Sequence, residues 1–216
     1  MIVKAHHHFW KPDRSDYGWL SPELTILYRE FLPGDLAPLF SRNGVGRTIL
    51  VQAAPPNAET EFLLSLADET PSALGVVGWV DFAGHGAADD IARQAKHPKP
   101  VGLRPMIQGI PDDDWMLDPR LTSAFDAMVK HNLIFDTPAL PRHLPRLRLL
   151  LQRHPQLQTV ADHGAQPDLA PGAFDIWAND IALIAQDSDA YCTLPGLLTD
   201  AGEDWARSDI TPTLIT

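Results

Sequence analysis

The sequence has one cysteine and no long apolar run, and each shortage excludes a class of protein. Cys192 alone cannot form an internal disulfide, and a zinc site built on a CxxC pair is excluded as well. No apolar run approaches the roughly 18–20 residues that a membrane span needs, and no apolar segment of a secretory signal follows Met1. We therefore expect a cytoplasmic protein with no membrane partner, and a buried, inert thiol at its single cysteine.

Basic residues are also few, 17 against 28 acidic ones, which gives a net charge of −11. Because nucleic-acid binding depends on lysine and arginine neutralising phosphates, this balance argues against a nucleic-acid partner. What the sequence does contain is an ordinary globular composition, with 44% hydrophobic and 21% charged residues over 216 positions. These numbers fit one large domain or two small ones and the size of a small enzyme. Because no linker divides the sequence, we expect a single domain over 1–216.

Short apolar runs alternate along the chain with segments of helical periodicity. Seven runs are predicted as strands: Ile2–Ala5, Thr48–Ala53, Leu74–Val80, Val101–Pro105, Leu133–Asp136, Gln158–Ala161 and Ala190–Leu194. Six segments between them are predicted as helices: Asp35–Arg42, Ala58–Glu69, Ala87–Lys96, Pro119–His131, Arg142–His154 and Phe174–Gln186. From the second run onward the strands start about 25–32 residues apart, which is the length of a βα unit and indicates parallel pairing.

Two parallel architectures fit this alternation, an open doubly wound sheet and a (β/α)8 barrel. No GxGxxG or GxxxxGK[ST] motif follows a strand, so the nucleotide-binding forms of the open sheet lose support. Polar or reactive residues stand instead at the ends of the predicted strands: His6 and His8, Gln52, Asp81, Arg104, Asp136, His163 and Thr193. Chemistry at the carboxyl ends of many successive strands is the barrel arrangement, so the α/β fold predicted here is a TIM-like (β/α)8 barrel.

The predicted barrel is short of its usual length. A (β/α)8 barrel typically needs about 250 residues, so this chain is expected to hold about seven βα units, with the eighth strand missing. An incomplete barrel exposes the edge of its sheet. Assembly into a homo-oligomer would cover that edge, and we therefore expect self-association.

His6-His7-His8 closes the first predicted strand and offers a pair of metal ligands. Residues two apart in a strand point the same way, so His6 and His8 can present two imidazoles to one ion while His7 faces away. His163, at the end of the sixth strand, would add a third imidazole and leave positions open for water. The alternatives are a remnant of a purification tag for the triplet and an ordinary hydrogen-bonded histidine for His163. Asp162 is expected to support or pack rather than to ligate.

Further residues at the same predicted strand ends are candidate substrate contacts. An arginine in a barrel mouth needs an anion or a buried carboxylate, so Arg104 would bind a substrate carboxylate or carbonyl, or else pair with Asp81 or Asp136. Tyr17 and Trp19 belong to an irregular aromatic segment after the first strand. Such a segment would line a ligand pocket or, alternatively, form an apolar cap on the rim of the barrel.

Several segments, in one order along the chain, resemble a known family: His6-His7-His8-Phe9-Trp10, Asp16-Tyr17-Gly18-Trp19-Leu20, Val51-Gln52-Ala53, Val77-Gly78-Trp79-Val80-Asp81, Gly102-Leu103-Arg104-Pro105-Met106-Ile107-Gln108 and Asp162-His163. Together they are similar to the metal-dependent hydrolase branch of the amidohydrolase superfamily that includes sugar-lactone and dicarboxylate lactonases. The resemblance covers essentially the whole chain, and the HxHFW opening with the DYxWL loop is its most specific part. It implies a TIM-like barrel whose mouth hydrolyses a lactone, with or without a divalent metal according to the member.

The resemblance also implies roles for individual residues. His6, His8 and His163 would hold a divalent metal, with zinc as the expected ion. His163 and Arg104 would be the catalytic residues. The implied substrate contacts are Arg104, Gln52, Tyr17 and Trp19.

The expected function is therefore the opening of a small sugar-acid or dicarboxylate lactone, its small-molecule partner, by metal-assisted attack of water. A decarboxylase of the same superfamily, which shares the barrel and the histidines, is the first alternative. A truncated, non-catalytic scaffold is the second, and three departures from the family pattern favour it: Lys4 for an aspartate, and Thr193 and Pro195 for a lysine and a serine. The family also carries an aspartate in a G-S-D-W-P segment that this chain does not contain.

Overall fold

The computed structural model describes residues 1–167 and 173–194. Its chain contacts divide the protein into two compact units, Met1–Pro105 and Met106–Thr216. Within the described residues, no helix is both long and apolar enough to cross a membrane. The single domain expected over 1–216 stays a prediction, and the two units are described one after the other.

The first unit is a parallel sheet with one helix after each of its first three strands. The strands are β1 (Ile2–His7), β2 (Val45–Val51), β3 (Ala73–Gly78) and β4 (Pro100–Leu103), hydrogen-bonded in that order. The helices are α1 (Pro33–Arg42), α2 (Asn57–Glu69) and α3 (Ala87–Gln94). Parallel strands need a crossover connection, and each helix here provides one.

The centre of the first unit is built from strands that are apolar at consecutive positions. Leu50 and Val51 are both fully buried, as is Val76 in β3, because opposite faces of these strands are covered. Leu63 of α2 and Phe9 join the same apolar cluster. Burial of this surface is the main force that holds the helices on the sheet.

Gly78 lets α2 approach the end of β3 closely. A Cβ at this position would lie 2.5 Å from Cγ2 of Thr60, which is closer than real atoms approach. The Thr60 hydroxyl in turn accepts a hydrogen bond from the N–H of Trp79 at 2.8 Å. The first turns of α2 are thereby fixed beside the carboxyl ends of the strands.

The second unit repeats the same βα pattern. Its strands are β5 (Ile134–Thr137), β6 (Thr159–Ala161) and β7 (Tyr191–Cys192), with β5 and β7 paired parallel to β6. Its helices are α4 (Thr122–Lys130), α5 (Leu144–Arg153) and α6 (Ala173–Asp187). The rings of Phe125 on α4 and Phe135 on β5 meet edge to face, with centroids 5.3 Å apart, in its apolar interior.

All seven predicted strands and all six predicted helices are present, with ends shifted by a few residues. The eighth strand of the barrel is expected to be missing. The residues after position 194 lie outside the described ranges, so this expectation stays a prediction. The prediction of a buried thiol is wrong, because Cys192 is exposed. Cys192 belongs to the two-residue strand β7, which pairs with β6 on one side. Among the described residues, no strand pairs with the other side of β7.

A buried histidine in the second unit gives a prediction for pH dependence. Nδ1 of His143 accepts the N–H of Leu140 at 3.1 Å, and its Nε2 lies 3.6 Å from a carboxylate oxygen of Asp113. Burial, and next the charge of Arg142, lower the pKa of His143, while Asp113 opposes them. The folded protein therefore resists the proton that the unfolded chain takes up as the pH falls through about 6.5.

We expect the free energy of unfolding to fall on acidification from pH 7 to 5, and to fall less in a His143→Gln variant. Glutamine still offers an acceptor to the N–H of Leu140 but does not titrate. Urea denaturation at a series of pH values measures the difference between the two proteins. His85→Gln, which removes an exposed imidazole, is the control. Parallel pH profiles for wild type and His143→Gln would contradict the prediction.

Candidate active site

The carboxyl end of β1 brings two of the predicted ligands together. Nε2 of His6 and Nε2 of His8 are 3.2 Å apart, and their rings cross at 89°. His7 points the other way, with Nδ1 2.8 Å from the Thr48 hydroxyl and its ring against Phe9. His7 also belongs to β1 and pairs in register with Leu50, so the triplet is part of the fold and not a remnant of a tag.

The protonation state of His8 suits a metal ligand. Its Nδ1–H donates to the carbonyl oxygen of Val51 at 2.8 Å, because a carbonyl can only accept. Burial, followed by the neighbouring His6 and Arg104, lowers the pKa of His8 to about 3. The ring is therefore neutral near pH 7, with its lone pair on Nε2. Metal-bound histidines commonly have this form, with the second nitrogen bonded to the backbone.

The spacing of the two nitrogens also fits a shared ion. Two nitrogens bound tetrahedrally to zinc at 2.0–2.1 Å are about 3.3 Å from each other. The observed Nε2–Nε2 distance of 3.2 Å is close to that value. The distance between the two nitrogens is therefore compatible with a shared divalent ion.

Gln52 and Arg104 form a second group at the carboxyl ends of the strands. Both side chains are buried. Nε2 of Gln52 donates to the main-chain oxygen of Arg104 at 2.6 Å, and Nη1 of Arg104 donates back to the main-chain oxygen of Gln52 at 3.5 Å. Asp81, considered above as an ion-pair partner for Arg104, is an exposed residue whose carboxylate accepts the N–H of Ala83. The first bond joins the segments after β2 and β4, and the second, longer bond directs the guanidinium toward the main chain of Gln52.

Tyr17 and Trp19 lie side by side in the segment after β1, but they differ in exposure. Tyr17 is 5% exposed and belongs to an apolar cluster with Ala53 and Ala54. Trp19 is 42% exposed, and its indole N–H donates to the main-chain oxygen of Ala53 at 3.0 Å. Tyr17 thus matches the expected apolar cap, whereas Trp19 presents an open aromatic surface.

The structure adds Glu59, which sequence reasoning missed. This carboxylate on the first turn of α2 is fully buried and accepts the hydroxyl of Tyr17 at 2.7 Å. An acidic residue at a helix start is ordinarily solvated, so its type and position do not indicate burial. The available signal was its spacing, because Glu59, Leu63 and Ala67 recur every four residues on the buried face of the helix.

Asp162 and His163 follow β6 in the second unit, in a strained turn. The φ angles of His163, Gly164, Ala165 and Gln166 are 54°, 63°, 58° and 49°, all in the left-handed region that non-glycine residues rarely adopt. Such strain is characteristic of functional segments held by their surroundings. His163 lies in a different unit from His6 and His8, and its place beside them stays a prediction.

Thr193, directly after β7, holds this turn. Its hydroxyl donates to the carboxylate of Asp162 and accepts the N–H of His163, both at 3.1 Å. Asp162 is fully buried, and its ligating oxygen lies within 4.8 Å of a ring nitrogen of His163. Asp162 can therefore offer an oxygen to a metal as well as accept the bond from Thr193, and the expectation that it supports and does not ligate stays a prediction. Thr193, where the family pattern has a lysine, therefore stabilises the turn that carries Asp162 and His163.

Comparison with known proteins places this arrangement in a family. The family model described as Amidohydrolase matches residues 3–215. An L-fucono-1,5-lactonase of Burkholderia ambifaria is 44% identical over 200 residues, which cover 93% of this chain and 69% of that protein. An L-fucono-1,5-lactonase of Burkholderia multivorans is 31% identical over 211 residues, covering 95% and 70%.

A solved structure agrees with the sequence matches. A crystal structure of an amidohydrolase from Burkholderia multivorans with bound zinc has a TM-score of 0.86 and 28% identity. The match covers 96% of this chain and 75% of that one. The predicted fold class is confirmed, since these neighbours are TIM barrels. The chain belongs to the amidohydrolase family.

Proposed function

We propose that this protein opens the ring of a sugar-acid 1,5-lactone by addition of water. The observation that carries the proposal is the 44% identity, over nearly the whole chain, to an L-fucono-1,5-lactonase. The pair formed by His6 and His8 at the end of β1 supplies chemistry that suits this reaction. The substrate is a cyclic ester, and its hydrolysis breaks the bond between the carbonyl carbon and the ring oxygen.

A divalent metal, with zinc as the first choice, is proposed to bind at His6 and His8, with His163 as the third ligand. The support is the neutral state of His8, the 3.2 Å separation of the two Nε2 atoms and the zinc in the related crystal structure. When bound, a divalent cation polarises a carbonyl group and lowers the pKa of a bound water. Thr193 then serves the site by holding the main chain of His163 and the carboxylate of Asp162.

Arg104 is proposed to stabilise the oxygen that becomes negative when water adds to the lactone carbonyl. A buried guanidinium is well suited to this role, because a charge acts more strongly away from bulk water. Gln52 orients Arg104 through the reciprocal main-chain bonds described above. The exposed indole of Trp19, with Tyr17 behind it, is proposed to pack against the less polar face of the sugar ring.

Turnover of lactones is the direct test of the proposed function. Protein purified without a histidine tag should release acid from L-fucono-1,5-lactone faster than the spontaneous rate, measured with a pH indicator. Removal of metal with a chelator should lower that rate, and added zinc should restore it. Release of CO2 from aromatic carboxylic acids without lactone opening would replace the proposal by a decarboxylase. Saturable lactone binding without any turnover would instead show a non-catalytic scaffold.

The setting of the reaction is also proposed. We propose that the protein is cytoplasmic and that it self-associates through the edge of its sheet. Its small-molecule partner is the lactone substrate. Size-exclusion chromatography with light scattering tests the association. A monomer at all concentrations would contradict it.

A further inference from the structure

Glu59 is a buried carboxylate that needs an explanation. It is fully buried on the face of α2 that also carries Leu63 and Ala67. Burial of an ionisable group without compensating partners is strongly unfavourable, so a buried carboxylate requires hydrogen-bond or charged partners nearby. Burial raises the pKa of Glu59, whereas its hydrogen bonds to Tyr17 and Ala53 act in the opposite direction.

The partners of Glu59 come from two separate loops. The Tyr17 hydroxyl, in the loop after β1, donates to Oε2 at 2.7 Å. The N–H of Ala53, in the loop after β2, donates to Oε1 at 3.4 Å. Nη2 of Arg14, also in the first loop, lies 3.7 Å from Oε2 and is oriented by Asp16. One carboxylate therefore ties both loops to the first turn of α2.

Both loops meet again at Trp19. Its indole N–H donates to the oxygen of Ala53, the residue whose N–H is bonded to Glu59. Its ring also meets the ring of Tyr17, with centroids 6.1 Å apart. The ring of Trp10 also packs against the indole, with centroids 5.5 Å apart. Of the three contacts of the exposed indole, those with Ala53 and Tyr17 connect it to the carboxylate of Glu59.

We propose that Glu59 is a positioning residue that fixes the Trp19 indole as one wall of the substrate pocket. The inference rests on the proposed lactone-opening function for the identity of the ligand that this wall contacts. Glu59 does not touch the reacting atoms. It sets how well the sugar ring binds, and so it acts on KM more than on kcat.

Both oxygens of the Glu59 carboxylate accept a hydrogen bond, and the variants are chosen to disrupt the one from Tyr17. Glu59→Gln keeps the shape but leaves one oxygen. If that oxygen accepts the N–H of Ala53, the amide N–H2 faces Tyr17 and can only donate to its hydroxyl, so the bond from Tyr17 to a charged acceptor is lost. Tyr17→Phe removes the same bond from the loop side and adds no polar group. Glu61→Gln, on an exposed position of the same helix, is the matched control.

We expect Glu59→Gln and Tyr17→Phe each to raise KM for the lactone about 5–30-fold, as the loss of a buried hydrogen bond would do. The value of kcat should change less than about 3-fold in both. The double variant should be little worse than either single one, because both remove one interaction. Glu61→Gln should match the wild type. A fall in kcat at constant KM, or additive effects in the double variant, would overturn the proposal.

Hydrogen–deuterium exchange gives a second measurement that does not depend on turnover. The segment 12–20 should exchange faster in Glu59→Gln and Tyr17→Phe than in the wild type, while exchange over α2 stays unchanged. If the wild type opens no lactone, the proposed function fails, yet the exchange result still tests the role of Glu59. If Glu59→Gln does not fold, Tyr17→Phe tests the same bond. Unchanged exchange over 12–20 in Tyr17→Phe would overturn the proposal.

Discussion

Replacing His8 by alanine is expected to lower kcat/KM for lactone opening on the order of 10³-fold and to remove most of the bound divalent metal. The reason is geometric. His8 contributes one of the two Nε2 atoms that stand 3.2 Å apart at the end of β1, and its loss leaves His6 as the single imidazole there, with only the proposed ligand His163 to complete the site. Metal analysis together with steady-state kinetics measures both effects.

The fold should survive this substitution. His8 contributes one hydrogen bond to Val51, whose loss costs about 1–3 kcal/mol. A melting curve therefore separates loss of the site from loss of the fold. His85→Ala, at an exposed position, is the matched control and should keep both metal and activity. A His8→Ala protein that retains its zinc and its rate would refute the metal site at β1.

The strand ends were predictable because two simple rules agree there. Parallel strands bring their carboxyl ends to one edge, and alternate residues of a strand point the same way. His6 and His8 were found by these rules, and so were Gln52 and Arg104. Neither rule depends on contacts between residues distant in the sequence. The positions of these four residues at strand ends could therefore be predicted from one sequence.

The supporting residues were not predictable in the same way. Glu59 is recognisable only once α2 is seen to bury its first turn, and the task of Thr193 depends on a bond to Asp162, 31 positions away. The left-handed turn at His163 is set by tertiary packing, since local preferences of histidine and alanine oppose it. For Cys192 the sequence predicted burial and the structure shows exposure. A residue in a strand is buried only where neighbouring elements cover it.

Replacing Arg104 by methionine is expected to lower kcat/KM about 10²–10³-fold, the range seen when a donor to a developing oxyanion is removed. Methionine has a similar length and suits a buried position, since Arg104 is only 6% exposed. The bond from Gln52 goes to the main-chain oxygen of Arg104, so the substitution leaves it in place. The substitution does remove the bond from Nη1 to the main-chain oxygen of Gln52, so a melting curve of the variant must accompany the kinetics.

Two further variants decide what the guanidinium does. Arg104→Lys keeps the charge but not the planar pair of donors, and it should recover only part of the rate if two-point contact with the substrate matters. Arg93→Met, on an exposed pair with Asp90 in α3, controls for loss of a surface arginine and should match the wild type. Full recovery by lysine would mean that charge alone is required. Unchanged kcat/KM in Arg104→Met, with normal melting, would remove Arg104 from the reaction and leave it a structural role between β2 and β4.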